Sequence, residues 1–483
     1  MDLETAFIGR TFDDFLFRPR RGVVTSRRAV RLTSRLTRGI ALELPIVSAN
    51  MDSVTTGDMA RTLALEGGLG FVHRAMPIAA QADEVARVKR SHGHVVEEPI
   101  VIPRDATLRE ALEVIRRHRI TGLLVEEHRG DRVLAGLLSN RDVPWDLGGL
   151  DRPVEAFMTP FARLHTAAPD VEVREAERIL YEHRVEKLPL VDGERRIRGL
   201  ITKSDLSLAR RRPESTKDAK GRLRVGAAIG ARGDYLERAD ALVAAGADAL
   251  LVDIAHGHSD VMRDAVEALR ARHAGVPLVC GNVGTADGAR FLRDLGADAI
   301  KVGIGPGRGC RTRLETAAGV PQLQAIREAW CAVGEDVPII ADGGAREDKD
   351  LFLALMCGAS TVMLGSMLAG TDEAPGTVIV DPASRQKHKL YRGMTSPQAV
   401  FAALYDEAPD DSPFETPAEG QELEVPYKGS VVDVLGRIRG HLRSAVSYGG
   451  TDSLATLRAE VVREPLRYLV PLSAASRRES FER

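Results

Sequence analysis

The chain has 483 residues, of which 44% are hydrophobic and 28% charged, which excludes a disordered segment, a collagen-like repeat and a coiled coil. Its formal net charge of -2 gives no electrostatic reason to expect nucleic acid or a membrane surface as a partner. The length predicts two domains, or one large barrel with an insert. No apolar run reaches about 18 residues and the N-terminus has no apolar core, so we expect neither a membrane span nor a signal peptide.

The four cysteines, Cys280, Cys310, Cys331 and Cys357, are too few for a disulfide scaffold in so long a chain. None belongs to a Cys-x-x-Cys pair, which argues against a zinc site. We therefore expect no metal cluster, and a reducing cytoplasm as the location. Cys280, Cys331 and Cys357 stand in apolar strand or helix contexts and are predicted to be inert core thiols.

Strand-like apolar runs recur along the chain, most of them separated by amphipathic helical stretches. Three follow the same turn, in AAGADALLVD (244–253), DLGADAIKVG (294–303) and MCGASTVMLG (356–365). A glycine helix cap followed by a run buried on both faces is typical of a parallel α/β protein. Eight such runs predict a (β/α)8 TIM barrel, whereas three or four alone would equally fit a doubly wound sheet. The predicted barrel strands are residues 45–49, 69–73, 224–230, 249–255, 277–283, 299–305, 338–344 and 361–366.

A different repeat interrupts this rhythm between the second and third predicted strands. Its two copies, 99–143 and 157–206, each contain a strand, an Asp-containing turn, a helix, a basic stretch, two strands and a closing Ser/Thr-x-x-Asp motif. Two copies predict a domain inserted into a barrel loop, with the polar stretch 210–222 as the return linker. We divide the chain into a first barrel part, an insert and a second barrel part, at residues 1–93, 94–209 and 210–483.

The C-terminal part has fewer strand-like runs. Residues 377–394 predict a hairpin, and the acidic, Pro-rich stretch 403–424 predicts a mobile loop. A loop of this length in a barrel enzyme is usually functional, so we expect a flap at about 395–428. The last residues, 473–483, are predicted to be frayed.

Barrel enzymes carry their active sites at the C-terminal ends of the strands. Asp342, Gly343 and Gly344 follow the seventh predicted strand, and Gly365 and Ser366 follow the eighth. Glycines there allow a phosphate to approach backbone N–H groups closely. Either group alone could be a tight turn, but both together in this order favour a phosphate site.

Cys310 follows a glycine-rich loop that leaves few side chains to shield it. Arg308, Arg311 and Arg313 lie nearby in sequence. A cysteine in that setting is a candidate thiolate nucleophile. From the local sequence alone, an incidental loop thiol is an equal alternative.

The loop GIGPGRGCRTR (303–313) resembles the catalytic cysteine loop of the IMP dehydrogenase/GMP reductase family. Further motifs occur in the family's order and spacing, so that the resemblance covers essentially the whole chain: SANMDSVT (48–55), ADGG (341–344), LGSMLAGT (364–371), YRGM (391–394), VPYKG (425–429) and RGHLRS (439–444). The inserted repeat resembles a pair of CBS modules (a Bateman domain), which most members carry at this barrel loop.

The resemblance implies roles for individual residues. Cys310 attacks C2 of a purine nucleotide and forms a covalent intermediate. Asp253, Asn282, Gly303 and Gly305 contact a nicotinamide cofactor. The residues implied for the nucleotide's phosphate, ribose and base are Ser48, Met51, Asn282, Gly307, Asp342, Gly343, Gly344, Gly365, Ser366, Tyr391, Gly393 and Met394.

The family contains two reactions. An IMP dehydrogenase moves hydride from IMP to NAD+ and hydrolyses the adduct to XMP with water activated by an Arg-Tyr pair on a flap. A GMP reductase displaces ammonia from GMP and uses NADPH to form IMP, with a Thr-Glu pair for the proton transfers. From Gly393 to Gly436 there is no arginine, so the Arg-Tyr pair is absent.

Thr312 and Glu419 stand where the reductase's Thr-Glu pair would fall. The sequence therefore favours an NADPH-dependent GMP reductase of purine salvage, with Cys310, Thr312 and Glu419 as catalytic residues. The alternatives are an IMP dehydrogenase with another water-activating group and a catalytically silent nucleotide sensor. Glu419 read alone could also be a solvated loop carboxylate.

Some positions depart from the family pattern. Asn50 stands where proline is common, Arg311 where threonine is usual, and the flap is longer than in small reductases, which usually lack CBS modules. Family members often bind K+ through carbonyls of the Gly305, Gly307 and Cys310 loop. The C-terminus here lacks the family's usual closing motif, which argues against K+ dependence.

The CBS resemblance implies binding of ATP or GTP. Ser139 with Asp142, and Thr202 with Asp205, would hold ribose hydroxyls in the two modules. The same motif also resembles a capping box, so helix caps are the alternative. Family members are tetramers that often pair into octamers through their CBS modules, so we expect a homotetramer or an octamer.

Overall fold

The computed structural model describes residues 3–91, 95–118, 120–144, 149–204, 206–207, 212–396 and 418–481. The chain divides into two compact units. The first unit comprises residues 1–88, 214–216 and 223–483, and the second comprises 89–213 and 217–222.

The strands of the described residues are numbered in chain order. They are β1 (Phe15–Phe17), β2 (Ser34–Arg35), β3 (Ala41–Leu42), β4 (Ile46–Ser48), β5 (Leu69–Val72), β6 (Val101–Pro103), β7 (Gly122–Glu126), β8 (Leu134–Ser139), β9 (Thr159–Pro160), β10 (Lys187–Val191), β11 (Ile197–Thr202), β12 (Gly226–Ile229), β13 (Ala249–Asp253), β14 (Leu278–Val283), β15 (Ala299–Val302), β16 (Ile339–Asp342), β17 (Thr361–Leu364), β18 (Ile379–Val380), β19 (Lys387–Arg392), β20 (Glu422–Pro426) and β21 (Leu469–Pro471).

The α-helices are numbered in the same way. They are α1 (Leu3–Phe7), α2 (Gly57–Leu65), α3 (Ile78–Arg90), α4 (Leu108–His118), α5 (Val173–Glu182), α6 (Tyr235–Ala244), α7 (Asp260–Arg272), α8 (Ala286–Asp294), α9 (Thr312–Thr316), α10 (Gln322–Val333), α11 (Asp348–Cys357), α12 (Ser366–Ala369), α13 (Val431–Tyr448), α14 (Leu454–Val461), α15 (Pro465–Tyr468) and α16 (Ala474–Phe481).

Eight parallel strands of the first unit close into a barrel in the order β12-β13-β14-β15-β16-β17-β4-β5. The predicted (β/α)8 barrel is therefore confirmed, with each predicted strand present. The observed strands are shorter at their ends than the apolar runs. For example, β16 ends at Asp342 because Gly343 and Gly344 adopt φ angles of +84° and +85°, outside the extended region.

The barrel interior is a packed hydrophobic core formed by inward-facing side chains of the strands. Phe71 fills it so closely that a Cβ on Gly226 would lie 2.4 Å from the ring, which explains a glycine inside β12. The β2–β3 hairpin adds Leu36, Ile40 and Leu42 to the same cluster. Polar side chains such as Asp253 and Asp342 stand at the C-terminal ends of the strands, where barrel enzymes hold their sites.

The C-terminal part of the first unit packs against the barrel. Strands β18, β19 and β20 form an antiparallel sheet, which confirms the predicted hairpin. The expectation of a frayed C-terminus was wrong, because residues 474–481 form α16. Arg477 of this helix pairs with Asp14 at 3.3 Å, and the Lys349 ammonium lies 4.7 Å from the Phe481 ring centroid.

The second unit contains the predicted repeat. In the first copy, α4 packs Leu108, Ala111 and Ile115 against strands β7 and β8. In the second copy, α5 packs against the antiparallel pair β10–β11 through Ala176 and Leu180. Each copy thus places one amphipathic helix on one strand pair. The identity of this unit as a CBS pair stays a prediction.

None of the helices within the described residues is long and apolar enough to cross a bilayer.

Candidate active site

A cavity of about 860 Å³ opens at the C-terminal ends of the barrel strands. Loops after β4, β15, β16 and β17 line it, together with β19 and the residues that follow it. Most residues predicted for the site lie in its wall: Met51, Asp253, Gly305, Gly307, Cys310, Asp342, Gly343, Gly344, Gly365, Ser366, Tyr391, Gly393 and Met394.

Five predicted residues lie behind this wall. Ser48 is fully buried, and its hydroxyl accepts a 2.8 Å hydrogen bond from Thr55. Gly303 and Asn282 lie beneath Asp342, and Thr312 and Glu419 lie beside Cys310. These residues act on the cavity through their neighbours.

The residues predicted for nucleotide binding in the insert lie in the second unit. The Asp142 carboxylate accepts hydrogen bonds from the Ser139 amide at 2.7 Å and from its hydroxyl at 2.8 Å. This is a capping box, the alternative that the sequence left open. Thr202 is the last residue of β11, and Asp205 lies outside the described residues.

Cys310, Thr312 and Glu419 form a continuous polar chain. The Thr312 hydroxyl oxygen lies 3.1 Å from Cys310 Sγ and donates a 2.6 Å hydrogen bond to Glu419 Oε2. All three side chains are partly buried. Glu419 is therefore held by Thr312 and is not a freely solvated loop carboxylate. Such a chain can move a proton between a carboxylate and a group that reacts at the sulfur.

Backbone pairing brings Glu419 to Cys310 from far along the chain. Cys310 and Gly420 form an antiparallel bridge. The Arg311 amide donates to the Glu419 carbonyl at 2.7 Å, and the Gln421 amide donates to the Gly309 carbonyl at 3.0 Å. These bonds fix the glutamate's position independently of its side chain.

A buried lysine joins two predicted ligand-binding carboxylates. Lys301 in β15 is 3% exposed, and its ammonium lies 2.8 Å from Asp253 Oδ1 and 2.5 Å from Asp342 Oδ2. Burial opposes ionisation of these groups, but the opposite charges outweigh it. The pKa of Lys301 is therefore raised, and that of Asp253 is lowered. The cavity floor thus holds Asp253 as an ionised carboxylate paired with the Lys301 ammonium.

Two asparagines orient these carboxylates. Asn50 Nδ2 donates to Asp253 Oδ2 at 2.7 Å, and Asn282 Nδ2 donates to Asp342 Oδ2 at 2.9 Å and to the Gly303 carbonyl at 2.7 Å. Asn282 Oδ1 is buried and has no hydrogen-bond partner among the described residues. Asp253 and Asp342 are thus fixed acceptors in the cavity wall, which suits a ligand with ribose hydroxyl donors, such as a purine or nicotinamide nucleotide.

Glycines allow the loops to approach the cavity and one another. A Cβ on Gly343 would lie 3.0 Å from the Gly307 amide nitrogen, and one on Gly365 would lie 2.8 Å from the Tyr391 hydroxyl. Tyr391 is 4% exposed, and its burial raises the pKa of the phenol. Tyr391 is therefore a neutral hydrogen-bonding group at neutral pH.

The other cysteines differ from Cys310. Cys280 and Cys357 are buried, and burial raises the pKa of each thiol to about 12, so both stay protonated. The prediction that Cys331 is a core thiol was wrong, because this residue is exposed. The core-facing residues of α10, including Ala329 and Val333, are buried, whereas Cys331 lies on the solvent side of the helix. Within the described residues, no three His, Cys, Asp or Glu side chains could jointly hold a metal ion.

Several residues at this site were not predicted from the sequence. Lys301 left a signal, since it is the only charged residue in the apolar run 299–305. Asn50 was noted only as a departure from a family pattern. The ion pair between Asp52 and Arg392 (Nε to Oδ2, 2.7 Å) ties the loop after β4 to β19, and no local pattern indicates it.

Comparison with known proteins agrees with this geometry. The family model for the IMP dehydrogenase/GMP reductase domain matches residues 9–481. An inosine-5'-monophosphate dehydrogenase of Nitrosopumilus maritimus is 43% identical over 457 residues, covering 93% of this chain and 94% of that protein. The corresponding enzyme of Aquifex aeolicus is 43% identical over 456 residues, covering 93% of this chain and 91% of that protein.

Two solved structures have the same fold. A cysteine-to-alanine variant of GMP reductase from Trypanosoma brucei, in complex with guanosine 5'-monophosphate, matches with a TM-score of 0.90 and 38% identity over 99% of both chains. GMP reductase from the same organism, in complex with guanosine 5'-triphosphate, matches with a TM-score of 0.80 and 34% identity, over 98% of this chain and all of that one. The chain therefore belongs to the IMP dehydrogenase/GMP reductase family, whose members are nicotinamide-dependent oxidoreductases.

Proposed function

We propose that the protein is a GMP reductase, which converts GMP, NADPH and two protons into IMP, NADP+ and an ammonium ion. The observation that carries this proposal is the hydrogen-bonded chain from Cys310 through Thr312 to Glu419. Release of ammonia from C2 requires a proton donor next to the sulfur nucleophile, and this chain supplies one.

The protein's own residues divide the work as follows. Cys310 adds to C2 of GMP as a thiolate and forms a carbon–sulfur bond. Glu419, acting through Thr312, delivers the proton with which the C2 amino group leaves as ammonia. Asp342 accepts hydrogen bonds from the ribose hydroxyls, and its ion pair with Lys301 holds that carboxylate in place. When hydride reaches C2, the carbon–sulfur bond breaks and returns the thiolate.

The nicotinamide cofactor supplies the hydride when it is bound. Asp253, oriented by Asn50 and Lys301, suits its ribose hydroxyls. Gly305 lines the cavity, and Asn282 and Gly303 stand behind its wall. These residues position the cofactor beside Cys310 and exclude water from the adduct.

An IMP dehydrogenase is the second candidate, because the sequence relatives described above are named so. That reaction needs an activated water, and the segment from Gly393 to Gly436 contains no arginine to activate it. We favour the reductase, since Thr312 and Glu419 suit ammonia release.

Absorbance at 340 nm distinguishes the two activities. Purified protein is incubated with GMP and NADPH in one cuvette, and with IMP and NAD+ in the other. We expect absorbance to fall in the first and to stay constant in the second. A rise in the second alone would establish the dehydrogenase. No change in either, with ATP or GTP also present, would favour the silent nucleotide sensor.

We propose that the insert, residues 94–209, is a tandem CBS domain that binds ATP or GTP and regulates the barrel in a tetramer or octamer. Its two helix-and-strand copies and the GTP complex of the Trypanosoma brucei enzyme support this. Isothermal titration with ATP and with GTP, on the wild type and on Asp142→Ala, tests it. Sedimentation with each nucleotide reports the assembly. Absence of nucleotide binding outside the barrel site would refute the regulatory role.

A further inference from the structure

A clamp formed by Asp52, Ser53 and Arg392 joins the loop after β4 to the last residue of β19. Both Nε and Nη2 of Arg392 donate to Asp52 Oδ2, the first at 2.7 Å. The Arg392 amide also donates to Ser53 Oγ at 3.2 Å, and the Ser53 hydroxyl donates to the Arg392 carbonyl at 3.4 Å. The side chain and the backbone of one arginine are thus both fixed to a loop that follows a barrel strand.

The ion pair in this clamp is largely shielded from water. The Asp52 side chain is 8% exposed and that of Arg392 is 27% exposed. Asp52 Oδ1 is buried and has no hydrogen-bond partner within the described part of the chain. Arg392 therefore supplies the charge that compensates this carboxylate, and the carboxylate in turn holds the guanidinium in one position.

Gly393, the residue after the clamped arginine, contacts two segments of the active site. A Cβ on Gly393 would lie 2.4 Å from the Gly309 carbonyl oxygen, and the Gly393 amide donates to the Gln421 carbonyl at 3.0 Å. Gly309 directly precedes the nucleophile, and Gln421 follows Glu419 by two residues. One glycine therefore supports both the nucleophile and the proposed proton donor.

The loop before Cys310 needs such support because it is rich in glycine. Four of the seven residues from 303 to 309 are glycine, which leaves the backbone with more freedom than other residues do. Packing against Gly393 limits this freedom at Gly309, where an added Cβ would lie 3.0 Å from the Gly393 amide nitrogen. A displacement of Gly393 would therefore release the cysteine loop.

We propose that Arg392, held by Asp52, is a positioning residue that places the nucleophile and its proton donor together against the bound nucleotide. The inference deepens the proposed function and rests on it for the roles of Cys310 and Glu419. Neither Arg392 nor Asp52 is among the described residues that line the cavity, so the pair acts on the reaction through Gly393. Its loss should lower the rate of the chemical step much more than the affinity for the nucleotide.

Arg392→Met tests the proposal, with Arg270→Met as the matched control. Arg270 is 26% exposed and pairs with Asp298 at 2.5 Å, but this pair lies at the N-terminal end of β15, away from the cavity. We expect kcat to fall roughly 10- to 100-fold in Arg392→Met and to stay within about 2-fold in Arg270→Met. The Kd for GMP should change by less than about 3-fold in both variants. An equal loss of kcat in the two variants would overturn the proposal.

A second variant separates positioning from loss of stability. Removing Arg392 alone leaves the Asp52 carboxylate buried and uncompensated, which destabilises the fold. The double variant Asp52→Asn/Arg392→Met carries no such charge, so we expect most of the resistance to urea to return while kcat stays low. Arg392→Lys can still pair with Asp52 and should have an intermediate kcat. Recovery of kcat together with stability in the double variant would show a merely structural role and refute the proposal.

Alkylation of Cys310 by iodoacetamide, followed by peptide mass spectrometry, needs no turnover. Bound GMP covers the sulfur, so saturating GMP should slow alkylation roughly 10-fold or more in the wild type and in Arg270→Met. In Arg392→Met we expect protection below about 3-fold, because the sulfur no longer lies under the nucleotide. Equal protection in all three proteins would contradict the proposal. A protein that fails to oxidise NADPH and yet shows this loss of protection would refute the reductase and leave the inference standing.

Discussion

The Thr312 hydroxyl lies 3.1 Å from Cys310 Sγ and 2.6 Å from Glu419 Oε2, so a single oxygen links the candidate nucleophile to a carboxylate. Cys310 and Thr312 are two residues apart, at the start of α9, whereas Glu419 is brought to them by backbone pairing. A mutation of Glu419 should therefore affect proton delivery alone, whereas a mutation of Cys310 should remove the nucleophile.

Glu419→Gln should reduce turnover of GMP roughly 10²- to 10⁴-fold, the usual contribution of a positioned acid or base. The Kd for GMP should change little, because Glu419 does not line the cavity. The exposed Glu424 of β20 is the control, and Glu424→Gln should retain full activity. Single-turnover oxidation of NADPH measures the loss of turnover, and titration with GMP measures the Kd. Normal turnover in Glu419→Gln would exclude the proton-delivery role.

Lys301→Met should destabilise the protein by on the order of 3 kcal/mol, since it leaves Asp253 and Asp342 without their shared cation. Urea denaturation measures this loss. The additional change Asp253→Asn should restore part of the stability, because it removes one of the uncompensated charges. A single variant as stable as the wild type would show that the ion pairs contribute nothing net.

His73 should make the protein less stable in acid. Burial, with the nearby charges of Arg392 and Arg238, outweighs Asp52 and lowers the pKa of His73 from 6.5 to about 4. Between these values the unfolded chain binds a proton that the folded chain does not. The free energy of unfolding therefore falls as the pH drops from 6.5 to about 4, by on the order of 3 kcal/mol.

His73→Asn removes this dependence and keeps an acceptor for the Ala75 amide, which donates to His73 Nδ1 at 3.2 Å. Urea denaturation of both proteins at pH 7 and pH 4.5 measures the difference. The wild type should lose more stability than the variant between these pH values. Equal losses would mean that His73 titrates normally.

Gly393→Ala should displace the cysteine loop, because the added Cβ would lie 2.4 Å from the Gly309 carbonyl oxygen. We expect roughly a 100-fold lower kcat from misplacement of Cys310, with the fold retained. Gly436 in α13 is the control, since nothing lies within 4 Å of its Cβ position. Gly436→Ala should keep activity and raise stability slightly. Full activity in Gly393→Ala would show that the loop tolerates the shift.

The barrel was predictable because its strands are buried on both faces and read as continuous apolar runs. The loops after them carry the polar residues, so most of the cavity wall was also named from sequence. How the backbone brings Glu419 to Cys310 was not predictable, since it depends on hydrogen bonds between segments far apart in the chain. Ser48 was placed at the site by motif, yet its side chain is buried against Thr55. Cys331 was misjudged because apolar neighbours do not show which side of a helix faces the core.

Because Gly420 pairs with Cys310, the register between these two chain segments decides which side chain reaches Thr312. Side chains alternate along a paired strand, so a shift of one residue would present Ala418 or Gly420 to Thr312 in place of Glu419. The Gly393 amide locks the alignment from the other side by donating to the Gln421 carbonyl at 3.0 Å. An insertion or deletion between Gly393 and Glu419 therefore changes the length of the connecting segment and leaves the pairing of Gly420 with Cys310 intact. We expect the reaction to tolerate such a change. A single residue gained or lost within the paired segment around Gly420 would abolish activity, although every functional side chain would still be present.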